Sequence, residues 1–224
     1  MTTDFFIKRR WLYCVAACLF TMIFSITAYA WGVARAQFVV VGKSFYFLVS
    51  ADTHIQSATH ATRLDGGAGY LLTDGESQYT AYSVYLTVDI ARTVQAGMQE
   101  DVLLVEKRVD YLAFRRKYKE NADVYQGALN ALYGCIGVLT QTISRLENGE
   151  TQESCKRILQ ILGRQFGYMS RRYQTIYPAF AAVCKDLQSG VNAMREQVVF
   201  CKDLRYLLCL ACDEYVRLAS VFSL

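Results

Sequence analysis

The feature that most constrains this chain is an uncharged run near its amino terminus. No charged side chain occurs from Trp11 to Ala34, a stretch of 24 residues. A helix needs about 20 predominantly apolar residues to cross the hydrocarbon core of a bilayer. Three consecutive basic residues, 8–10, precede the run, and the positive-inside bias favours a cytoplasmic amino terminus. We therefore predict a single-pass transmembrane anchor at about 11–34 in the cell membrane, with the bulk of the chain extracytoplasmic.

A cleaved signal peptide is the competing interpretation of the same run. The triplet Ala28-Tyr29-Ala30 has the small-residue pattern of a signal-peptidase site. The apolar region of a signal peptide is usually about 7–15 residues long, and this one is longer. The length favours an uncleaved anchor, and cleavage after Ala30 stays open.

Charge divides the rest of the chain into two parts. Residues 37–110 carry five basic and nine acidic side chains, whereas residues 111–224 carry fifteen and ten. The hydrophobic fraction of 53% excludes a disordered chain, and the single proline argues against a loop-rich β-sandwich. We predict three regions: a cytoplasmic stub and anchor at 1–36, an α+β domain at 37–110 and an α-helical bundle at 111–224.

The acidic region 37–110 has the order strand, helix, strand, strand, helix, strand. Its first helix is indicated by apolar residues spaced three apart from Ile55 to Leu64, and its second opens at Thr87 or Asp89. Aromatic and β-branched runs predict four strands of an antiparallel-type sheet, at 44–49, 68–73, 79–86 and 101–107.

Three short motifs give this region a resemblance to a known family. They are the Ala-x-x-Ala-x-x-Leu spacing of Ala58, Ala61 and Leu64, the link Gly-Gly-Ala-Gly-Tyr at 66–70, and the strand Ser-Val-Tyr-Leu-Thr at 83–87. In this order of elements, residues 43–108 resemble a SPOR domain. The resemblance implies a non-enzymatic role in cell division or sporulation: binding septal peptidoglycan, specifically glycan strands stripped of their peptide stems.

Strand alternation then predicts a binding face on the sheet. If the two short helices cover one face, Phe45, Phe47, Val49, Tyr82, Val84 and Leu86 would point toward them. Tyrosine suits a sugar, because its ring stacks on apolar C–H groups and its hydroxyl forms hydrogen bonds. We predict that the opposite, open face binds glycan through Tyr46, Leu48, Ser50, Tyr79, Ser83 and Tyr85.

The same face has an alternative role. The sequence departs from the family at two positions, since Leu48 stands near a common glutamine and Ala81 where an arginine is common. In this alternative, the same face packs against the carboxy-terminal helices instead of binding glycan. In that case the protein is a membrane-anchored helical assembly or scaffold protein, whose α+β unit mediates protein contacts and binds no glycan.

Long helical periods begin after Tyr111. Apolar residues spaced by three and four predict one helix up to Leu146, a second from Thr151, and a long helix or antiparallel hairpin after Pro178. Ser189-Gly190 is the predicted weak point of that last segment. Three long helices on short connections predict a small antiparallel bundle, which would bind a partner protein or self-associate.

The remaining chemistry points away from catalysis. We predict no catalytic residues, no metal site and no cofactor, since no nucleophile, zinc or phosphate-loop motif occurs. His54 and His60 are six apart and do not share a helix face. The basic cluster at 115–119 would meet anionic polymer or lipid rather than nucleic acid. Six cysteines fall on the apolar stripes of the helical half, which favours packing over disulfides; they are Cys135, Cys155, Cys184, Cys201, Cys209 and Cys212.

Overall fold

The computed structural model describes residues 21–22, 37–51, 55–98, 101–115 and 117–222. Within these residues the chain forms four β-strands and six α-helices, an α+β arrangement. The strands are β1 (Gln37–Ser50), β2 (Tyr70–Asp74), β3 (Ser77–Tyr85) and β4 (Val102–Phe114). The helices are α1 (Ile55–Leu64), α2 (Val88–Gly97), α3 (Ala122–Glu147), α4 (Gln152–Tyr173), α5 (Pro178–Arg195) and α6 (Cys201–Ser220).

The predicted fold class included a transmembrane helix, and the structure does not support that part of the prediction. No helix among the described residues is both long enough and apolar enough to span a bilayer. The segment predicted to do so, about 11–34, lies outside the described residues except for Thr21 and Met22. The fold is therefore α+β without a supported membrane-spanning helix.

The four strands form one antiparallel sheet with the order β2-β3-β1-β4. The order of strands and helices from β1 to β4 is the predicted one, βαββαβ. The two longest strands extend past the rest of the sheet, where Gln37 pairs with Phe114 and Val40 with Tyr111. Strand β4 continues to Phe114, so it crosses the domain boundary that was placed at residue 110.

Helices cover both faces of this sheet. On one face Phe45 packs edge-on against Tyr215 of α6, with ring centroids 5.3 Å apart, and also lies beside Tyr133 of α3. The other face carries a smaller cluster of Leu48, Tyr82 and Val102, against which the end of α2 packs. The predicted placement of Phe45 beneath the two short helices is therefore wrong, because the long helices cover its face.

A β-bulge on β3 changes the face to which its residues belong. Leu48 pairs with Ser83, but the next residue, Val49, pairs with Ala81 rather than Tyr82. The extra residue on β3 inverts its alternation, since a strand has a side-chain period of two. Tyr82 consequently joins Leu48 on the face of α1 and α2.

The helical half contains four helices, because the segment after Pro178 forms two helices rather than a single long one. Helix α4 starts at the N-cap residue Thr151 as predicted, and the Thr151 hydroxyl caps it by accepting a hydrogen bond from the Ser154 backbone N–H at 3.3 Å. Pro178 occupies the first turn of α5, where its missing N–H costs nothing. Of the two alternatives predicted after Pro178 the structure has the hairpin, but its turn lies between Arg195 and Cys201 rather than at Ser189-Gly190.

One hydrophobic core connects the sheet to the helices. Phe45 and Phe47 of β1 belong to the same buried cluster as Leu132 of α3 and Leu208 of α6. Burying one such aromatic side chain contributes about 1.5–3 kcal/mol. The sheet and the helical half are thus held together by apolar packing, and a cleft remains where their edges meet.

Candidate functional site

A cleft of about 600 Å³ lies between α2 and the long helices. Residues 83–87, the end of β3 and the link that follows it, form part of its lining. One side comes from α2, and the other from the last turns of α3 together with the first half of α6. The volume lies in the range of about 300–1,000 Å³ that is typical of ligand sites.

Most of the cleft lining is apolar. Ile90 and Val94 of α2, one helical turn apart, line it opposite Ile143 of α3 and Leu208 of α6. Ile90 is 55% exposed and Val94 is 36% exposed, so this side of α2 has no cover in the described chain. Three polar side chains of α3 also line the cleft: Thr140, Gln141 and Ser144.

An ion pair forms the charged part of the cleft lining. Arg205 of α6 donates a hydrogen bond to Glu147 at the end of α3, with a nitrogen–oxygen distance of 2.6 Å. Its other terminal nitrogen donates to the backbone carbonyl of Gly66, also at 2.6 Å. Arg205 therefore ties α3, α6 and the loop after α1 together. The wall of the cleft that α3 and α6 form is therefore fixed relative to that loop.

The six residues predicted to bind glycan are divided among different environments. Ser83 and Tyr85 line the cleft, and burial raises the pKa of the Tyr85 hydroxyl. Leu48 is fully buried within the smaller cluster, and Ser50 is buried at the end of β1. The remaining two, Tyr46 and Tyr79, are half-buried, and Tyr79 packs against the main core. The structure thus brings together only Ser83 and Tyr85 in the cleft.

A second polar cluster lies on the boundary between the sheet and α6. Asp213 of α6 accepts hydrogen bonds from the Tyr70 hydroxyl at 2.9 Å and from the Lys107 ammonium at 2.7 Å. Burial and the neighbouring Asp213 carboxylate raise the pKa of Tyr70 far above its ordinary value. The three side chains satisfy one another, and this cluster holds the sheet on the helices.

None of the six described cysteines forms a disulfide. Cys135 and Cys184 are fully buried, and burial raises the pKa of each thiol to about 12. A buried thiol with a raised pKa is a poor nucleophile and metal ligand. Within the described part of the chain, no three His, Cys, Asp or Glu side chains are grouped to hold a metal ion.

The two histidines and the basic cluster at 115–119 lie at the surface or outside the described residues. His60 is exposed on α1, and His54 lies outside the described residues. The basic residues Arg115, Lys117 and Lys119 are exposed around the end of β4, and Arg116 is not described.

Comparison with known proteins identifies no relative. No protein-family model matches this chain, and no curated protein or solved structure is significantly similar to it. The resemblance to SPOR domains therefore remains a prediction from the motifs between 43 and 108.

Sequence reasoning missed most of the cleft. The spacing of Ile90 and Val94 places them on one helix face, but spacing alone does not say whether that face is covered. Arg205 carried no signal, because its partners Glu147 and Gly66 are 58 and 139 residues away along the chain. Only long-range packing places these groups around one cavity.

Proposed function

We propose that this protein is a non-enzymatic assembly protein, whose cleft binds a short amphipathic helix of a partner protein. Such helices bind in apolar grooves through side chains spaced three and four apart. Ile90, Val94, Ile143 and Leu208 offer apolar surface on both sides of the cleft. The Thr140 hydroxyl donates to the Ile136 carbonyl and can still accept a hydrogen bond from the partner. The Ser144 hydroxyl accepts from the Asn148 amide and can still donate one.

One observation carries this proposal: Ile90 and Val94 are exposed together on the lining of one cavity. Single exposed apolar residues are normal on a protein surface, whereas adjacent ones in a concave site are typical of interaction sites. The covered faces of the sheet also favour the assembly role over an open glycan-binding face, since Leu48 and Ser50 are buried.

Site-specific photocrosslinking in the producing cell tests the assembly role. A benzoylphenylalanine placed at Val94 should give a discrete crosslinked protein, and the additional substitution Ile90→Asp should abolish it. The matched control is the same probe at Val138, an apolar residue of α3 that is 37% exposed and does not line the cleft. Crosslinks of equal yield at both positions, or none at Val94, would contradict the proposal.

A wall glycan is the second candidate, because Ser83 and Tyr85 lie in the same cleft beside hydroxyl and amide side chains. A tyrosine ring with hydrogen-bonding neighbours suits a sugar. The full chain would then be recovered with amidase-treated peptidoglycan sacculi, and Tyr85→Ala would reduce that recovery. Equal recovery with and without sacculi would exclude the glycan and leave the assembly role.

A further inference from the structure

Helix α4 presents a stripe of alternating basic and apolar side chains to solvent. Ile161 and Tyr168, two turns apart, are 64% and 54% exposed. Arginines flank them on the same side of the helix and are all exposed; they are Arg157, Arg164, Arg171 and Arg172. The spacings of three and four from 157 to 172 place these six side chains, the α4 stripe, along one face over about 22 Å.

The α4 stripe is fixed in its outward orientation. On the opposite face of α4, Gly167 lies so close to α5 that a Cβ atom there would be 2.5 Å from the Gln188 amide nitrogen. Gly163 makes a similar approach to Asn192. Helix α4 therefore packs its small residues against α5 and cannot turn the stripe inward.

The net charge of helix α4 is strongly positive. Helix α4 carries five basic residues and only one acidic residue, Glu153, in its first turn. Its net charge of +4 equals the formal net charge of the whole chain. Within the stripe, the Arg172 guanidinium donates a hydrogen bond to the Tyr168 hydroxyl at 2.9 Å, which holds one cation beside an exposed ring.

We propose that the α4 stripe binds an anionic phospholipid surface. The guanidinium groups would pair with headgroup phosphates, because the planar guanidinium matches phosphate oxygens in bidentate geometry. Ile161 and Tyr168 would enter the boundary between headgroups and acyl chains, where apolar and aromatic side chains of surface-bound helices lie. This is contact with a membrane surface and goes beyond the assembly role.

The shape of the stripe favours a lipid surface over an acidic protein. The outer face of a helix is convex, and Ile161 and Tyr168 project from it rather than lining a groove. A protein partner would need matching pockets for both side chains, whereas a fluid lipid interface accommodates projecting groups of any shape. The four arginines of the stripe also reach the cluster size of about 4–8 basic residues that recruits helices to anionic lipids.

Fluorescence quenching by brominated lipid tests this contact in the full chain. The substitution Tyr168→Trp adds a reporter to the stripe, and the chain's own two tryptophans give a baseline that is subtracted. Vesicles of equimolar phosphatidylglycerol and brominated phosphatidylcholine should quench the added reporter, and vesicles of brominated phosphatidylcholine alone should not. The matched control is Tyr206→Trp, at a tyrosine of α6 that is 39% exposed and lies outside the stripe.

Removing charge should weaken the contact by a predictable factor. Each basic residue near an anionic surface contributes about a fivefold gain in binding. In the reporter chain, Arg164→Gln with Arg171→Gln should therefore raise the lipid concentration for half-quenching about 25-fold. The charge-matched control, Lys185→Gln with Arg92→Gln, changes two exposed basic residues elsewhere and should leave it within about twofold.

Three results would overturn the proposal. Equal quenching at positions 168 and 206 would mean that the stripe has no special contact with lipid. Quenching that does not depend on lipid charge, or that is unchanged by the arginine substitutions, would assign the contact to other parts of the chain. A reporter that no vesicle quenches, but whose emission shifts with soluble polyglutamate in a salt-sensitive manner, would point to an acidic protein partner instead.

Discussion

Lys107 of β4 and Asp213 of α6 form an ion pair of 2.7 Å across the boundary between the sheet and the long helices. The Lys107 side chain is only 12% exposed, so its charge is largely removed from water. Tyr70 of β2 donates to the same carboxylate. Asp213 thus connects one edge of the sheet, β2, and the other, β4, to a single position on α6.

Asp213→Asn should therefore destabilise the fold. The substitution leaves the Lys107 ammonium without its counter-charge in a poorly hydrated site, and we expect a loss of about 2 kcal/mol in the free energy of unfolding. Urea denaturation of the full chain measures it. The control is Asp110→Asn, which breaks the exposed pair of Asp110 with Arg108 and should cost less than about 1 kcal/mol. Equal losses in the two variants would show that Asp213 is not a special connection.

The order of elements could be predicted from sequence, but the faces of the sheet could not. Alternation separates the side chains of a strand into two sets, and it does not say which helices cover each set. The bulge at Tyr82 also inverted the alternation on β3. Tyr79 therefore packs on the main core, while Ser83 pairs with Leu48 on the other side of the bulge. Strict alternation along β3 therefore grouped residues that lie on different faces of the sheet.

The helical half shows the same limit at a glycine. Ser189-Gly190 was predicted as a weak point, yet α5 continues through it to Arg195. A Cβ atom at Gly190 would lie 2.9 Å from the Leu207 side chain of α6, so the glycine permits close helix packing rather than a break. The actual turn contains no glycine or proline. It is held by Gln152, whose side-chain amide exchanges two hydrogen bonds with the Val199 backbone.

Alkaline pH should unfold the protein in part through Tyr70. Burial and Asp213 raise the pKa of Tyr70 above the ordinary value of 10.0, so the folded state keeps a proton that the unfolded state loses. The free energy of unfolding should therefore be insensitive to this group below about pH 10 and fall above it, by up to about 1.4 kcal/mol per pH unit. Tyr70→Phe should reduce that slope, measured as urea midpoints at pH 9, 10 and 11. Parallel curves for the variant and the parent chain would contradict the prediction.

The cysteines should react with alkylating reagents in an order set by burial. Burial raises the pKa of all five thiols, but Cys201 is half-buried, whereas Cys135, Cys184, Cys209 and Cys212 are fully buried. Because the thiolate is the nucleophile, we expect Cys201 to be labelled by iodoacetamide well before these four in the folded chain. Mass spectrometry of tryptic peptides measures the rates, since Cys201 lies between Arg195 and Lys202. Labelling of Cys135 or Cys184 as fast as Cys201 would mean that the helices open readily.

Two glycines with nearly the same φ angle allow the cost of backbone strain to be measured separately from the cost of a steric clash. Gly69 and Gly75 have φ values of 61° and 60°, in the left-handed region that disfavours other residues. A Cβ atom at Gly75 meets nothing within 4 Å, whereas one at Gly69 would lie 2.4 Å from Cγ of Arg63 and 3.1 Å from the Thr59 carbonyl oxygen. Gly75→Ala should therefore cost about 1 kcal/mol from the backbone alone.

Gly69→Ala should cost about 3 kcal/mol, because the clash must also be relieved. Relief requires Arg63 to move, and this residue donates to Asp203 of α6 at 2.8 Å and to the Ala68 carbonyl at 3.2 Å. The end of α1 would then lose its connection to the long helices. Urea midpoints of the two alanine variants give the difference directly. Equal losses would mean that Arg63 moves aside at no cost and that its bond to Asp203 contributes nothing to the union of sheet and helices.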